Sequence, residues 1–311
     1  MGAAPPREEP QKTPSRLIVS LVLAVPPGAA WAQAPAPAPN GPATDPKPSQ
    51  RLLDRGKYLM EGIVACGNCH VARGDKGQPL QDKGLSGGML FDLPGMNAYA
   101  ANITPDPGTG IGQWTDAQLA KAIREGIRPD GTLIGPPMPI EFYRHMSDED
   151  LRAIVAYLRV QPPVRNVVAK SAYGIPLPPD YGPPVGQVKA PARTDKVRYG
   201  EYLAQIGHCM ECHTPRNDKG MLQMGSMGAG GQVFPGPWGQ SVSRNLTPHE
   251  TGLKDWSDAE IARAIRTGVR KDGQPLKPPM AFDWYKNINE ADMSALVAYL
   301  RSLKPLPVAG K

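Results

Sequence analysis

All four cysteines of the chain fall in two copies of one five-residue frame, Cys66-Gly67-Asn68-Cys69-His70 and Cys209-Met210-Glu211-Cys212-His213. C-x-x-C-H is the frame through which c-type haem is attached covalently. Each thiol adds to a haem vinyl group as a thioether, and two intervening residues set the sulfurs to reach both vinyls of one ring. The histidine that follows is carried beneath the iron as its proximal ligand. Three other chemistries share part of the pattern. Structural disulfides require no histidine after each pair. A zinc site could combine the pairs into a Cys₂His₂ or Cys₄ set, but it would join positions 143 residues apart. A thioredoxin-like redox motif expects a βαβ setting. The duplication of the whole frame favours two covalently bound haem c groups.

A haem iron held by histidine needs a sixth ligand if it is to stay closed. Met138 lies 68 residues after His70 and Met280 lies 67 after His213. Each follows two prolines, Pro136-Pro137 and Pro278-Pro279, a stiff segment that would hold a thioether against the metal. Most of the 12 methionines are expected to be core filler or loop residues. Met138 and Met280 are the pair that survives duplication in register. His145 is the alternative distal ligand; like His208 and His249 it has no counterpart in the other copy.

The frames sit in an internal repeat. Gly56-Lys57-Tyr58-Leu59 returns as Gly200-Glu201-Tyr202-Leu203, Asn102-Ile103-Thr104-Pro105 as Asn245-Leu246-Thr247-Pro248, and Val155-Ala156-Tyr157-Leu158-Arg159 as Val297-Ala298-Tyr299-Leu300-Arg301, at offsets of 144, 143 and 142. A period this long means domain duplication, since solenoids repeat every ~20–50 residues. Within each copy the apolar spacing is helical: Leu151, Ile154, Val155 and Leu158 line one face, as do Met293, Leu296, Val297 and Leu300. Ser147 with Asp150, and Asn289 with Asp292, are placed to start those helices. Thr115 and Ser257 start another, ended by Gly126 and Gly268. A third helix is predicted across roughly 51–64 and 197–207. No segment shows sustained strand alternation, so the predicted class is all-α, short helices joined by Gly/Pro-rich loops.

The predicted organisation is a signal peptide over 1–32, a Pro-rich disordered segment over 33–50, one domain over 51–160, a Pro-rich linker over 161–196, a second domain over 197–305 and a tail over 306–311. The leader rests on Lys12 and Arg16, the apolar run Leu17 to Val25, and Ala30-Trp31-Ala32 before Gln33, a short apolar segment with an A-x-A cleavage site. Export to an oxidising compartment such as the periplasm is therefore expected. The linker carries eight prolines, a composition that favours an extended, semi-rigid connector.

Hydrophobic content of 40%, charged content of 21% and a mean hydropathy of −0.38 fit a water-soluble chain. No stretch approaches the ~18–20 apolar residues of a spanning helix. A net charge of +6 is spread without a dense basic block, so nucleic-acid binding gains no support. Only four phenylalanines are present, and a buried porphyrin in each half would fill cores short of aromatic side chains. Trp114 with Arg124 and Trp256 with Arg266 are candidates to meet haem propionates. Asn102 and Asn245 are candidates for the same role or for turn formation. Gly84, Gly87 and Gly88, with Gly228, Gly230 and Gly231, are expected to permit tight loops near the porphyrin edge.

Both halves resemble class I cytochrome c domains, with the Gly-x-Tyr helix, the haem frame, a methionine loop and a C-terminal helix bearing Tyr157 or Tyr299. The Asn-Ile/Leu-Thr-Pro, Trp-Thr/Ser-Asp and Pro-Pro-Met motifs are similar to those of the cytochrome subunits of periplasmic alcohol, gluconate and nicotinate-type dehydrogenases. The likeness covers nearly all of 51–305. It implies a periplasmic dihaem carrier passing single electrons from a periplasmic or membrane-associated dehydrogenase to a terminal oxidase or another cytochrome. Many such subunits have three haems and a C-terminal membrane-binding stretch; this sequence has two frames and ends in a short Pro-rich tail. The rival function is a dihaem enzyme, a peroxidase or sulfur-compound dehydrogenase, which needs one iron open to substrate. Matching Met138 and Met280 argue against it.

Overall fold

The computed structural model of the chain describes residues 47–74, 78–236 and 238–308. The predicted signal peptide, most of the Pro-rich stretch after it and the last three residues of the tail lie outside the described residues. Residues from Lys47 onward form one compact unit, in which the same series of elements occurs twice. The first half runs α1 (Gln50–Glu61), α2 (Gly67–His70), β1 (Leu90–Leu93), β2 (Met96–Tyr99), α3 (Asp116–Glu125), α4 (Ile140–Tyr143) and α5 (Asp148–Arg159). The connecting segment contributes β3 (Ala172–Tyr173). The second half runs α6 (Lys196–Ile206), α7 (Cys209–His213), β4 (Val233–Gly236), β5 (Gly239–Val242), α8 (Asp258–Thr267), α9 (Phe282–Tyr285) and α10 (Glu290–Ser302).

Local signals set the helix ends. Thr115 and Ser257 each accept from the backbone N–H three residues on, while Gln118 and Glu260 reach back to the cap, so α3 and α8 begin in full capping boxes. Both end at a glycine in the left-handed region, Gly126 at φ 68° and Gly268 at φ 67°. Ser147 and Asn289 cap α5 and α10.

An all-α class is too coarse. Two antiparallel hairpins, β1–β2 and β4–β5, follow the frames, and β3 adds a third strand to the first of them. Their strands are four residues long, too short for period-two alternation to register. The first hairpin is set by its turn, with Gly95 at φ 75°.

In each half the N-terminal helix packs on the C-terminal one, α1 on α5 and α6 on α10. The repeated glycine marks each crossing. A Cβ on Gly56 would lie 2.0 Å from the Ala153 carbonyl oxygen, and one on Gly200 would lie 1.9 Å from that of Ala295. Backbone cannot yield as a flexible side chain does, so Gly56→Ala must part the helices. A loss at or above the ~1–3 kcal/mol typical of overpacking is expected, read as a lowered midpoint in denaturant titration.

The halves share one core, in which Leu59, Ile63 and Ile154 meet Leu203, Ile206 and Leu296. Polar bonds cross between them reciprocally. The Tyr58 hydroxyl donates to Asp292 at 2.9 Å, and the Tyr202 hydroxyl donates to Asp150 at 2.6 Å. Arg55 adds two bonds to Asp150, at 2.7 and 2.8 Å, and Arg193 one to Asp292 at 2.7 Å. Both carboxylates were expected only as first-turn helix residues; in the folded chain they are buried between the halves.

The Pro-rich connector lies along the first half. β3 pairs Tyr173 with Met96. The Asn166 side chain donates to the Ser86 carbonyl at 2.8 Å, and Asp148 N–H donates to Val188 O at 3.0 Å. Prolines cannot supply a ladder of donors, so tyrosine hydroxyls and isolated amides fasten the segment.

Candidate functional site

Each frame is entered through a residue with positive φ, Ala65 at 51° and His208 at 42°, and then turns once as α2 or α7. The four thiols are free. The decisive contacts belong to the histidines. His70 Nδ1 lies 2.8 Å from the Ala101 carbonyl oxygen, and His213 Nδ1 lies 2.7 Å from that of Arg244. A carbonyl can only accept, so each Nδ1 carries the proton and each Nε2 presents its lone pair. Ligating histidines are oriented in this way by their second nitrogen. Burial holds both imidazoles below the ordinary histidine pKa, the carbonyl bond opposing it. Both therefore rest in the neutral form that binds iron.

Glycines make that geometry possible. Gly87 N–H donates to His70 O at 2.9 Å and Gly230 N–H to His213 O at 2.8 Å. A Cβ on Gly87 would lie 2.4 Å from Ala100 O, and one on Gly230 would lie 2.6 Å from Ser243 O. Only a glycine lets this loop press against the backbone that supplies the histidine's acceptor. The expectation of tight loops is met here, although Gly84 meets nothing within 4 Å.

Burial pushes Cys66 up to about 12 and Cys69 to about 11, and Cys209 and Cys212 to about 12 each. Among the described residues no three His, Cys, Asp or Glu side chains gather into a metal-holding group. A half-buried pair of free thiols followed by an anchored imidazole is the donor set that fits haem c, with two sulfurs for thioether bonds and one nitrogen for iron.

Met138 and Met280 lie two residues before α4 and α9, and their carbonyls accept from Ile140 N–H at 2.9 Å and Phe282 N–H at 3.0 Å. Both side chains are half-buried against the shared core, as are Cys66 and Cys209. Their loops are held differently. Tyr173 and Tyr181 of the connector donate to Pro136 O at 3.0 Å and Ile134 O at 2.8 Å, just before Met138. On the other loop, the Asn68 side chain of the first frame donates to Pro279 O at 3.3 Å, directly before Met280. His145 is exposed and lines a surface hollow with Val188, Lys189 and Tyr202.

Arg124 and Arg266 are engaged by protein. Arg124 donates to Met146 O at 3.1 Å and pairs with Asp148; Arg266 donates to Ile288 O at 2.9 Å and pairs with Glu290. They brace the α4–α5 and α9–α10 joints. Trp114 and Trp256 pack at the core, and their carbonyls accept from Arg159 and Arg301. Asn102 and Asn245 form turns: Asn102 Oδ1 accepts from Thr104 N–H at 3.0 Å and its amide donates to Val164 O at 2.8 Å. Asn245 bonds Thr247 and Leu306 in the same way. Tyr173, Tyr181, Asn68 and Trp284 were not singled out by their residue types, because each acts on a segment remote in sequence. The only local hint was their proximity to a Pro-Pro-Met loop or a haem frame, present for Asn68 and Trp284 alone.

The cytochrome c family profile matches residues 53–161 and 197–304, more than half of the chain. Three curated relatives illustrate the likeness. The fructose dehydrogenase cytochrome subunit of Gluconobacter japonicus is 32% identical over 287 residues, covering 87% of this chain and 56% of that protein. The alcohol dehydrogenase (quinone) cytochrome c subunit of Gluconobacter oxydans is 33% identical over 280 residues, 83% of this chain and 56% of that one. The "Diheme cytochrome c-type" protein of Cereibacter sphaeroides is 31% identical over 249 residues, 76% of this chain and 81% of that one. The chain thus spans about half the length of these two dehydrogenase subunits. With a matched profile over each anchored histidine, the chain belongs to the cytochrome c family.

Proposed function

We propose that the chain is an exported dihaem electron carrier that takes single electrons from a dehydrogenase and passes them to an oxidase or another cytochrome. The observation that carries this is the pair of half-buried histidines, each fixed through Nδ1 by a backbone carbonyl and each directly after two free thiols. Cys66, Cys69 and His70 would hold one haem c, and Cys209, Cys212 and His213 the other, within domains spanning 51–160 and 197–305. Haem c supplies a one-electron iron couple. Met138 and Met280 complete the ligand set, and methionine with histidine raises the reduction potential relative to two nitrogen ligands.

The chain's own residues hold the imidazoles in one tautomer and stiffen the methionine loops. A carrier needs this rigidity because little then has to move when the iron changes charge. The fructose and alcohol dehydrogenase cytochrome subunits support a dehydrogenase donor, and the Lys12–Ala32 leader pattern supports the periplasm as the compartment. Mass measurement of protein matured in a cytochrome-competent host is expected to show two covalently added haems. Met138→Ala and Met280→Ala are each expected to remove about half of the weak methionine-to-iron absorption band and to lower one of two potentials. A high-spin ferric signal in the unsubstituted protein would overturn the carrier reading. Co-purification with a catalytic chain tests the dehydrogenase partner.

A further inference from the structure

The two methionine loops have unlike supports. The connector braces the loop of Met138, through Tyr173 and Tyr181. The loop of Met280 rests instead on the first haem frame. Two contacts make this seat. Asn68 donates to the Pro279 carbonyl at 3.3 Å. The six-membered ring of Trp284 lies flush on Gly67, so close that a Cβ there would fall 2.0 Å from Trp284 Cη2 and 2.2 Å from Cζ2. Trp284 belongs to α9, whose first N–H is bonded to the Met280 carbonyl at 3.0 Å. A short helix tied to Met280 at one end is therefore pressed against the Cys66–His70 turn.

Among the described residues the mirror hydrogen bond is missing. Met210 stands where the first frame has Gly67, and Glu211 stands where it has Asn68. Glu211 turns instead to His208 at 3.4 Å and Arg216 at 3.7 Å. Among the described residues no hydrogen bond joins the second frame to residues 136–138. From α4, Tyr143 meets His208 edge-on at 6.1 Å.

We propose that Asn68 and Trp284 are positioning residues that use the first haem frame as the seat for Met280, so that ligation at the second iron depends on the first frame and not the reverse. The inference rests on Met280 being the second iron's sulfur ligand. Its physical basis is the choice of anchor: a loop stiffened by Pro278-Pro279 moves as a unit, so a shift of its anchor is passed on to the thioether. Covalent attachment would make the first frame a rigid anchor, because the two thioethers and the histidine all fix the same turn.

The test is potentiometric titration and thermal melting of the methionine-to-iron band in fully matured, two-haem protein. Met138→Ala and Met280→Ala assign the two waves and the two halves of the band. Trp284→Ala is expected to lower the second haem's potential and the melting temperature of its half of the band, leaving the first haem's wave in place, and Asn68→Ala, within the first frame, is expected to lower the second haem's potential as well. Trp284→Phe, which restores the residue type of Phe142, is expected to fall between Trp284→Ala and the parent. Tyr173→Phe is expected to act on the first haem alone. Unchanged waves in Trp284→Ala and Asn68→Ala, or a shift confined to the first haem, would overturn the inference. So would an equal response of the first haem to Glu211→Ala. If Met280→Ala leaves the band at full strength, the ligand assignment itself fails; if it halves the band while Trp284→Ala changes nothing, only the seat fails.

Discussion

Asp150→Ala is expected to be the most destabilising single substitution between the two halves, at about 3–5 kcal/mol, the usual cost of removing one partner of a buried ion pair. The carboxylate is 4% exposed. It accepts two bonds from Arg55 and one from the Tyr202 hydroxyl of the other half, at 2.6 Å. Burial works against the Arg55 charge, yet the Asp150 bond and charge prevail and its pKa is held above the ordinary guanidinium value. Without Asp150 that charge has no carboxylate and Tyr202 loses its acceptor. Tyr202→Phe removes one bond and leaves the ion pair, so a loss of only about 0.5–1.5 kcal/mol is expected.

The pseudo-symmetric Asp292→Ala provides the internal comparison. Asp292 is as deeply buried, but its partner Arg193 is 56% exposed on the side chain and returns to water when unpaired. The expected loss is therefore smaller than for Asp150→Ala. Urea titrations of the three variants check the order, and equal losses for Asp150→Ala and Asp292→Ala would show that burial of the cation is irrelevant.

Gly87→Ala is expected to have the largest effect on a single histidine. The added Cβ meets the Ala100 oxygen at 2.4 Å and the Ala101 carbonyl carbon at 2.5 Å. The obstacle is the very peptide whose oxygen fixes His70 Nδ1. A non-glycine residue at φ 75° adds about 1–2 kcal/mol of conformational cost. Relief requires the loop or the acceptor to move, and either loosens the imidazole. Loss of such an outer partner typically weakens metal binding about 10–100-fold. In the matured protein the expected readout is a shifted first-haem potential and early detachment of His70 from iron in mild denaturant, with the second haem unchanged. Gly230→Ala is expected to do the same to His213. Gly84→Ala supplies the control, since it shares a positive φ of 50° but meets no atom within 4 Å; it is expected to cost stability without moving either potential.

Sequence alone determined what local chemistry determines. The two thiol–imidazole frames, the duplication, and helices α3, α5, α8 and α10 with their caps and glycine stops were all legible, because each depends on residues within a few positions of one another. The hairpins were not legible, since four-residue strands carry no period and are specified by a turn and by the elements they cover.

Tertiary structure decided the rest, because the partners are remote along the chain. Asp150 and Asp292 look like ordinary first-turn residues until Tyr202 and Tyr58 arrive from positions 52 and 234 residues away. The histidine tautomer is set by a carbonyl 31 residues on, in both halves. Arg124 and Arg266, candidates for propionates by type, bond carbonyls 22 residues away. The repeat predicts equal halves; the fold makes them unequal, because the connector's tyrosines hold the first methionine loop and the first frame's Asn68 holds the second.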